Sequence, residues 1–179
     1  MARAQRWSHL ELPAALQWQA VSFIRTVWPS IDGGLVREPY PSALHPTYYT
    51  VTRDDDLLLS MAATYTTSVT SAGTSWVTAC LGNVFTFPAF RHRGLGRMVV
   101  DEATRDIQDS IVDVAALLCD PDLQPFYEAS GWEPVPASTT ITTGGEILDS
   151  LRMMLVLSDR AVAARSQLTT AAFVVPSPW

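Results

Sequence analysis

Residues 84–96 read V-F-T-F-P-A-F-R-H-R-G-L-G, and no other stretch combines residue types and spacing so suited to chemistry. A β-type apolar run (Leu81, Val84, Phe85, Phe87) stops at Pro88. A short loop follows, Arg91, His92, Arg93, Gly94, and from there Leu95, Val99, Ala103 and Ile107 recur at helical spacing. Strand, basic glycine loop and helix start, in that order, predict a diphosphate cradle. Glycine at 94 and 96 lets the backbone approach a ligand, the first amides of the helix point outward, and the helix dipole favours anionic oxygens. Arg91, Arg93 and Arg97 add full positive charge.

Two other phosphate-binding patterns fail on spacing. A P-loop needs Gly-Lys-Ser/Thr, and all twelve basic residues here are arginine. A dinucleotide fingerprint needs G-x-G-x-x-G after a first strand, with an acidic residue about twenty positions on. What remains is the loop-and-helix cradle of an acyl-CoA site. A second motif follows: Val112, Val114, Ala115, Leu117 and Leu118 read as a buried strand, and then comes C-D-P-D-L-Q-P-F-Y-E-A-S-G-W from Cys119 to Trp132. Asp120-Pro121 opens a short helix carrying Leu123, Phe126 and Tyr127, which Ser130-Gly131 ends.

At these residues the chain resembles the GNAT superfamily of acetyl-CoA-dependent N-acetyltransferases. The first stretch matches the family's pyrophosphate-binding motif R-x-x-G-x-G, and F-Y-E-A-S-G-W matches its Y-x-x-x-G-F/W motif; the likeness runs from about Thr47 to Val135. The resemblance implies acetyl-CoA as cosubstrate. Its pyrophosphate would lie on the amides of Arg91, His92, Arg93, Gly94, Leu95, Gly96 and Arg97. Its pantetheine arm would pair with the backbone of Val84, Phe85 and Thr86, where two central strands splay apart. The resemblance also makes Tyr127 the proton donor to the departing thiolate, a role that suits a phenol because its pKa lies near that of a thiol; the competing reading is a packed core tyrosine. His92 reads as a solvent-facing loop residue rather than a catalyst.

The general base is not legible. Many members of the family carry a Glu on the central strand, around where Leu81, Gly82 and Asn83 stand here. Asp32, Glu38, Asp120 and His45 are unranked alternatives, working directly or through water. A narrower resemblance concerns the acceptor. The sequence ends on Trp179 after a short apolar strand, and its hairpin region from His45 to Gly96 followed by F-Y-E-A-S-G-W is similar to the aminoglycoside 2′-N-acetyltransferases, including the branch acting on kasugamycin-type aminocyclitols. That likeness implies a small cationic amine acceptor touching Asp32, Glu38, Asp120 and Trp179, while the missing Glu near Gly82 departs from the branch. Two other readings stand beside it: a GNAT enzyme for another amine (polyamine, amino acid or protein N-terminus), and a non-catalytic acyl-CoA-binding domain.

Charge distribution bears on the acceptor. The net charge is −6, and Asp106 to Asp149 holds nine acidic residues without one Arg, Lys or His. Such a field suits a cationic acceptor; Asp106, Asp109 and Asp113 are read more simply as the solvated end of a helix. Nucleic acid is excluded as a partner, since no basic stripe exists outside the cofactor loop. At 179 residues, 47% hydrophobic, the chain is long enough for one cored domain spanning 1–179. Cys80 and Cys119 read as buried thiols, and no metal cluster is expected. No signal-peptide pattern opens the sequence, and Ala14 to Trp28 is interrupted by Gln17, Gln19 and Arg25. The expectation is a cytoplasmic protein without a membrane partner, forming a homodimer.

The elements that must position these residues follow from periodicity. Leu12 to Val27 predicts a helix ended by Pro29. Asp32 to Pro46 is an irregular, Pro-rich link of the kind that forms acceptor loops. Tyr48–Thr52, Leu57–Val69 and Trp76–Thr86 read as strands, with Asp54-Asp55-Asp56 and Ser71-Ala72-Gly73-Thr74 as their turns. Thr139–Thr143 reads as a strand or a long hairpin arm, Met153–Leu157 as a strand, Asp159–Leu168 as a short helical or polar segment, and Ala171–Val175 as a candidate last strand. The fold class is α/β, a single GNAT-like domain with a mixed, mostly antiparallel sheet flanked by helices.

Overall fold

The computed structural model describes residues 3–30 and 35–176. Asp32 and Trp179, both expected at the acceptor, lie outside the described residues. The chain divides into two compact units, Met1–Tyr65 with Asn83–Ala103, and Thr66–Gly82 with Thr104–Trp179.

In the first unit, β1 (Gln5–Ser8) pairs antiparallel with β2 (Thr47–Arg53), and β2 pairs antiparallel with the first part of β3 (Leu57–Ser71). Helix α1 (Ala14–Val27) buries Leu16, Ala20, Val21, Phe23 and Ile24 at the expected helical spacing. Phe23 stacks on Phe85 with ring centroids 4.2 Å apart and meets Phe87 edge-on at 5.0 Å, so this helix packs against the end of β4 (Thr74–Thr86). The helix begins two residues later than periodicity predicts, because Pro13 takes the position before its first turn. Strand β1 is absent from the sequence reading: four residues, half of them exposed, carry no usable alternation.

The second unit holds the later strands: β5 (Val114–Cys119), β6 (Glu133–Pro134), β7 (Thr140–Thr142), β8 (Ile147–Leu148), β9 (Leu151–Val156) and β10 (Phe173–Val175). Their order is β6-β9-β5-β4-β3-β10-β7-β8. Pairings are antiparallel except β4 with β5 and β10 with β7. The β4–β5 ladder joins Thr78, Ala79 and Cys80 to Val114, Ala115 and Ala116; β5 then continues to Cys119 beside β9 rather than beside β4. This is the parting strand pair expected of the fold. Trp76, Val114, Met154, Leu168 and Phe173 centre the core. At the β3–β4 turn, Ala72 and Gly73 both take left-handed φ (49° and 74°), the requirement of a two-residue hairpin whose twist matches its strands.

Helix α2 (Leu95–Gln108), α3 (Gln124–Glu128), α4 (Asp159–Ala163) and α5 (Arg165–Thr170) complete a mixed α/β architecture flanked by helices. The segment expected to be helical or polar from Asp159 to Leu168 is thus two short helices that continue to Thr170. Cys80 and Cys119 are both buried thiols. No described helix is long and apolar enough to cross a membrane.

Asp113 corrects the reading of a solvated helix end. Helix α2 stops at Gln108, and Asp113 sits just before β5 at 8% exposure. It accepts from Arg160 Nε at 2.6 Å, from Arg160 Nη2, from Ser158 Oγ at 2.8 Å and from the Val77 amide at 2.9 Å. The Arg160 guanidinium, ahead of these smaller contacts, holds the Asp113 carboxyl well below the usual carboxylate range. Arg160 in turn lies 4.5 Å over the Trp76 ring. Its distance along the chain hid the pair from sequence reasoning.

Candidate active site

The first unit builds the candidate cofactor cradle from the end of β4 into α2. Phe85, and Phe87 just past the end of β4, are tied to β3: Ser60 Oγ donates to the Phe85 carbonyl at 2.8 Å, and the Phe87 amide donates to the Leu59 carbonyl at 3.0 Å. In a strand, alternate residues direct their backbone groups to opposite edges. Val84 and Thr86 therefore present theirs to the edge away from β3, as an added extended ligand requires. Arg91 Nε donates to the Thr86 carbonyl at 3.1 Å, drawing the loop back onto this strand end.

A single 3₁₀ turn, Pro88–Phe90, leads to the loop, and its last bond uses the Arg91 amide (Arg91 N to Pro88 O, 3.3 Å). The Arg91 amide is thus already engaged, so its contribution to the cradle falls to its side chain. His92 (φ 60°) and Gly94 (φ 76°) are both left-handed; at 94 a side chain would be strained even though a Cβ would meet nothing within 4 Å. Turns of this kind gather amides into an anion-binding concavity. The first bond of α2 runs from Met98 N to Gly94 O at 3.1 Å, which leaves the amides of Leu95, Gly96 and Arg97 outside the helical ladder. Leu95 is buried and anchors the helix start, while His92 and Gly94 are exposed. Arg93 is exposed too, its guanidinium 5.7 Å from the Phe90 ring centre. Arg97 pairs with Asp101 at 2.6 Å, one turn along the helix. Outward amides, left-handed glycine and exposed guanidinium groups fit a diphosphate.

In the second unit, Tyr127 sits in α3 at 6% exposure. Burial, and secondarily the neighbouring Cys119 thiol, push its phenol above the ordinary range, so it is protonated at neutral pH but a weaker acid than the near match to a thiol expected from the sequence. Cys119 is itself pushed up to about 11, by burial first and then by Asp120. Asp120 caps the turn before α3, its Oδ1 accepting the Asp122 amide at 3.0 Å. The helix turns back at Gly131, and the buried Trp132 donates its indole N–H to Thr104 Oγ1 at 3.0 Å. The aromatic ending of the Y-x-x-x-G-W motif is therefore a packing anchor for the helix that carries the tyrosine.

The sequence model of the acetyltransferase (GNAT) domain matches residues 7–135. The chain belongs to the GNAT acetyltransferase family. It is accordingly an acetyl-CoA N-acetyltransferase, with acetyl-CoA as cosubstrate. Solved structures agree in fold. The GNAT family N-acetyltransferase YhbS of Escherichia coli, solved in complex with CoA, is 16% identical over 98% of this chain and 91% of its own, with a TM-score of 0.61. ElaA of Escherichia coli is 17% identical over 86% and 98%, TM-score 0.61. A probable N-acyltransferase from Enterococcus faecalis is 20% identical over 75% of this chain, TM-score 0.55, but this chain spans only 33% of that longer one. No protein of curated function matches the sequence.

Among the residues expected at the acceptor, Glu38 is half-buried and accepts the Ser42 amide at 3.0 Å, and His45 Nδ1 lies 3.3 Å from His9 Nε2 at the exposed end of the β1–β2 ladder. Sequence reasoning missed Asn83. Its left-handed φ of 47° interrupts the regular backbone of β4 immediately before Val84 without ending the strand, and its side chain donates to the Pro39 carbonyl. A Gly-Asn pair in the middle of a strand was the available signal. It also missed a groove of about 310 Å³ between Trp18, Gln19, Ser22, Leu57, Leu58, Phe87 and Phe90, which no single-chain periodicity reveals.

Proposed function

We propose that this acetyltransferase modifies a primary amine of a small cationic acceptor, with an aminoglycoside or aminocyclitol antibiotic as the acceptor class, the reaction of a resistance enzyme. The observation that carries the transfer chemistry is the continuous run from the outward edge of Val84 and Thr86 to the amides of Leu95, Gly96 and Arg97, with Arg91 and Arg93 exposed beside it. Tyr127, the tyrosine of the Y-x-x-x-G-W motif, is the proton donor to the thiolate. The cationic acceptor is supported by the acid-only stretch from Asp106 to Asp149 and by the Glu38 carboxylate. Exposed charges act over roughly 10 Å at 0.1 M salt, so capture of such an acceptor weakens as ionic strength rises.

A broader amine acceptor is favoured by a different observation. Two acids of the stretch are matched by arginines beyond it, Asp113 by Arg160 and Glu133 by Arg165, which thins the negative field. Thiol release from acetyl-CoA separates the readings, using kasugamycin, gentamicin, spermidine and a peptide N-terminus as acceptors. The antibiotic reading expects turnover with the first two and a salt-dependent KM. Turnover confined to spermidine or the peptide leaves an acetyltransferase with another amine acceptor. Acetyl-CoA binding without transfer to any amine leaves a binding domain.

A further inference from the structure

The loop before β2 is fastened to the central strand at one point. Asn83 directs its amide to the carbonyl of the buried Pro39, and Asn is among the few side-chain-bearing residues that tolerate the left-handed backbone this requires. The residues on either side of Pro39 are fixed by separate contacts. Tyr40 is 7% exposed, with its ring 5.3 Å from that of Tyr65. Glu38 accepts the Ser42 amide. Tyr48, on β2, accepts a hydrogen bond from the Tyr40 backbone and lies within reach of the Glu38 charge; burial first, and that charge after it, push its phenol up to about 12. Tyr48 is therefore the titratable group facing Glu38, and it is neutral across the working pH range. The Glu38 carboxylate is thus held by the Ser42 amide of its own loop, and the next residue, Pro39, is clamped to Asn83, which adjoins Val84.

We infer that Glu38 is the carboxylate that receives the acceptor's proton during transfer, and that Asn83 is the positioning residue that holds it beside the reacting end of β4. The inference rests on the acetyltransferase reading above. The bound acceptor arrives as an ammonium ion, and one of its protons passes to a Glu38 oxygen, directly or through a water. The freed nitrogen lone pair forms the N–C bond to the thioester carbonyl carbon. The nitrogen sheds its second surplus proton to solvent, the C–S bond breaks with its electron pair leaving on sulfur, and the thiolate takes up one proton. The proton on Glu38 returns to solvent. One neutral amide, one free thiol and one released proton result, so charge balances.

Four proteins test this: wild type, Glu38→Gln, Glu38→Asp and Asn83→Gly. Glycine removes the clamping amide without penalising the left-handed backbone. Thiol release is followed from pH 6 to 9.5 (roughly the span between a carboxylate and an amine pKa) with whichever of kasugamycin, gentamicin, spermidine and the peptide amine the wild type uses fastest. Calorimetry measures acetyl-CoA affinity in parallel. The wild type should show acceptor kcat/KM nearly flat through neutral pH. Glu38→Gln should fall about a hundredfold at pH 7 and recover as pH rises, because it then depends on free amine already present in solution. Glu38→Asp should recover part of the loss. Asn83→Gly should lose about tenfold, chiefly in acceptor KM, with acetyl-CoA affinity unchanged in all three variants. Unchanged turnover in Glu38→Gln, an equal loss at every pH, or a parallel loss of acetyl-CoA affinity each overturns the role. A wild type that binds acetyl-CoA yet acetylates none of the four amines overturns the enzyme reading itself, an outcome distinct from all of these.

Discussion

Arg91 and Arg93 of the first unit are employed in the opposite way to Arg152 and Arg160 of the second. At the cofactor loop, Arg91 bonds one backbone carbonyl and Arg93 leans over Phe90, and among the described residues neither forms an ion pair. In the second unit, Arg160 is locked on Asp113 and over Trp76, while Arg152, at 1% exposure, donates to Thr140 Oγ1 at 3.4 Å and the Leu168 carbonyl at 3.0 Å and lies 4.3 Å over Phe173. Burial pulls the Arg152 guanidinium down to about 10. A cation left without a carboxylate at the surface can meet an incoming anion at little desolvation cost. A cation enclosed by carbonyls and rings has already exchanged water for protein and serves cohesion alone.

The contrast breaks most visibly at the loop backbone. Gly94→Val, forced at φ 76°, should raise the KM for acetyl-CoA by about a hundredfold or more, since backbone approach and amide direction are lost together. Gly96→Val should act in the same direction. Normal acetyl-CoA binding by calorimetry in either variant removes the cradle assignment. Next in size, Tyr127→Phe should lower turnover roughly ten- to a thousandfold with little change in acetyl-CoA affinity. An unchanged turnover, with chemistry shown to limit the rate, makes Tyr127 a packing residue.

The arginines themselves sharpen the comparison. Removing both loop side chains (Arg91→Ala with Arg93→Ala) should weaken acetyl-CoA about tenfold, more at low salt, and leave the melting temperature alone. Asp113→Asn should do the reverse, costing about 1–3 kcal/mol of stability with acetyl-CoA affinity intact, because it disturbs several charge-assisted bonds at a buried site. Its pH signature has a definite sign. The folded carboxyl titrates below its unfolded value, so its stabilisation is complete above the ordinary carboxylate range and is lost as pH falls from about 5 downward. Denaturant midpoints measured against pH should show a flatter acid limb in Asp113→Asn than in the wild type. Smallest of all, Arg152→Met should change stability by no more than about 1 kcal/mol in either direction, because a buried cation replaced by an apolar chain of similar length loses little net energy. A large loss there would mean that Arg152 organises the second unit as Asp113 does.

Much of the fold was legible because its long elements repeat. The apolar positions of α1 and α2 fall at helical spacing, and β3 and β4, at 15 and 13 residues, are bounded by unmistakable turns. Strands of two to four residues, β1, β6 and β8, give no such repeat, and their pairing is decided by partners distant in sequence. The same limit applies to the site. The glycine loop is local and was readable, whereas Asp113 and Asn83 take their roles from residues 47 and 44 positions away.

The order of residue types by itself determined the strand–loop–helix cradle, the tyrosine helix and the α/β class, because each rests on neighbours within one or two turns of chain. Only the tertiary structure decided which charges are available. It committed Asp113 to Arg160, enclosed Arg152 without a carboxylate, and joined Asn83 to Pro39 beside Glu38. The reason is physical: the worth of a charge or an amide depends on what desolvates it and what faces it, and those neighbours come from segments that the linear order keeps apart.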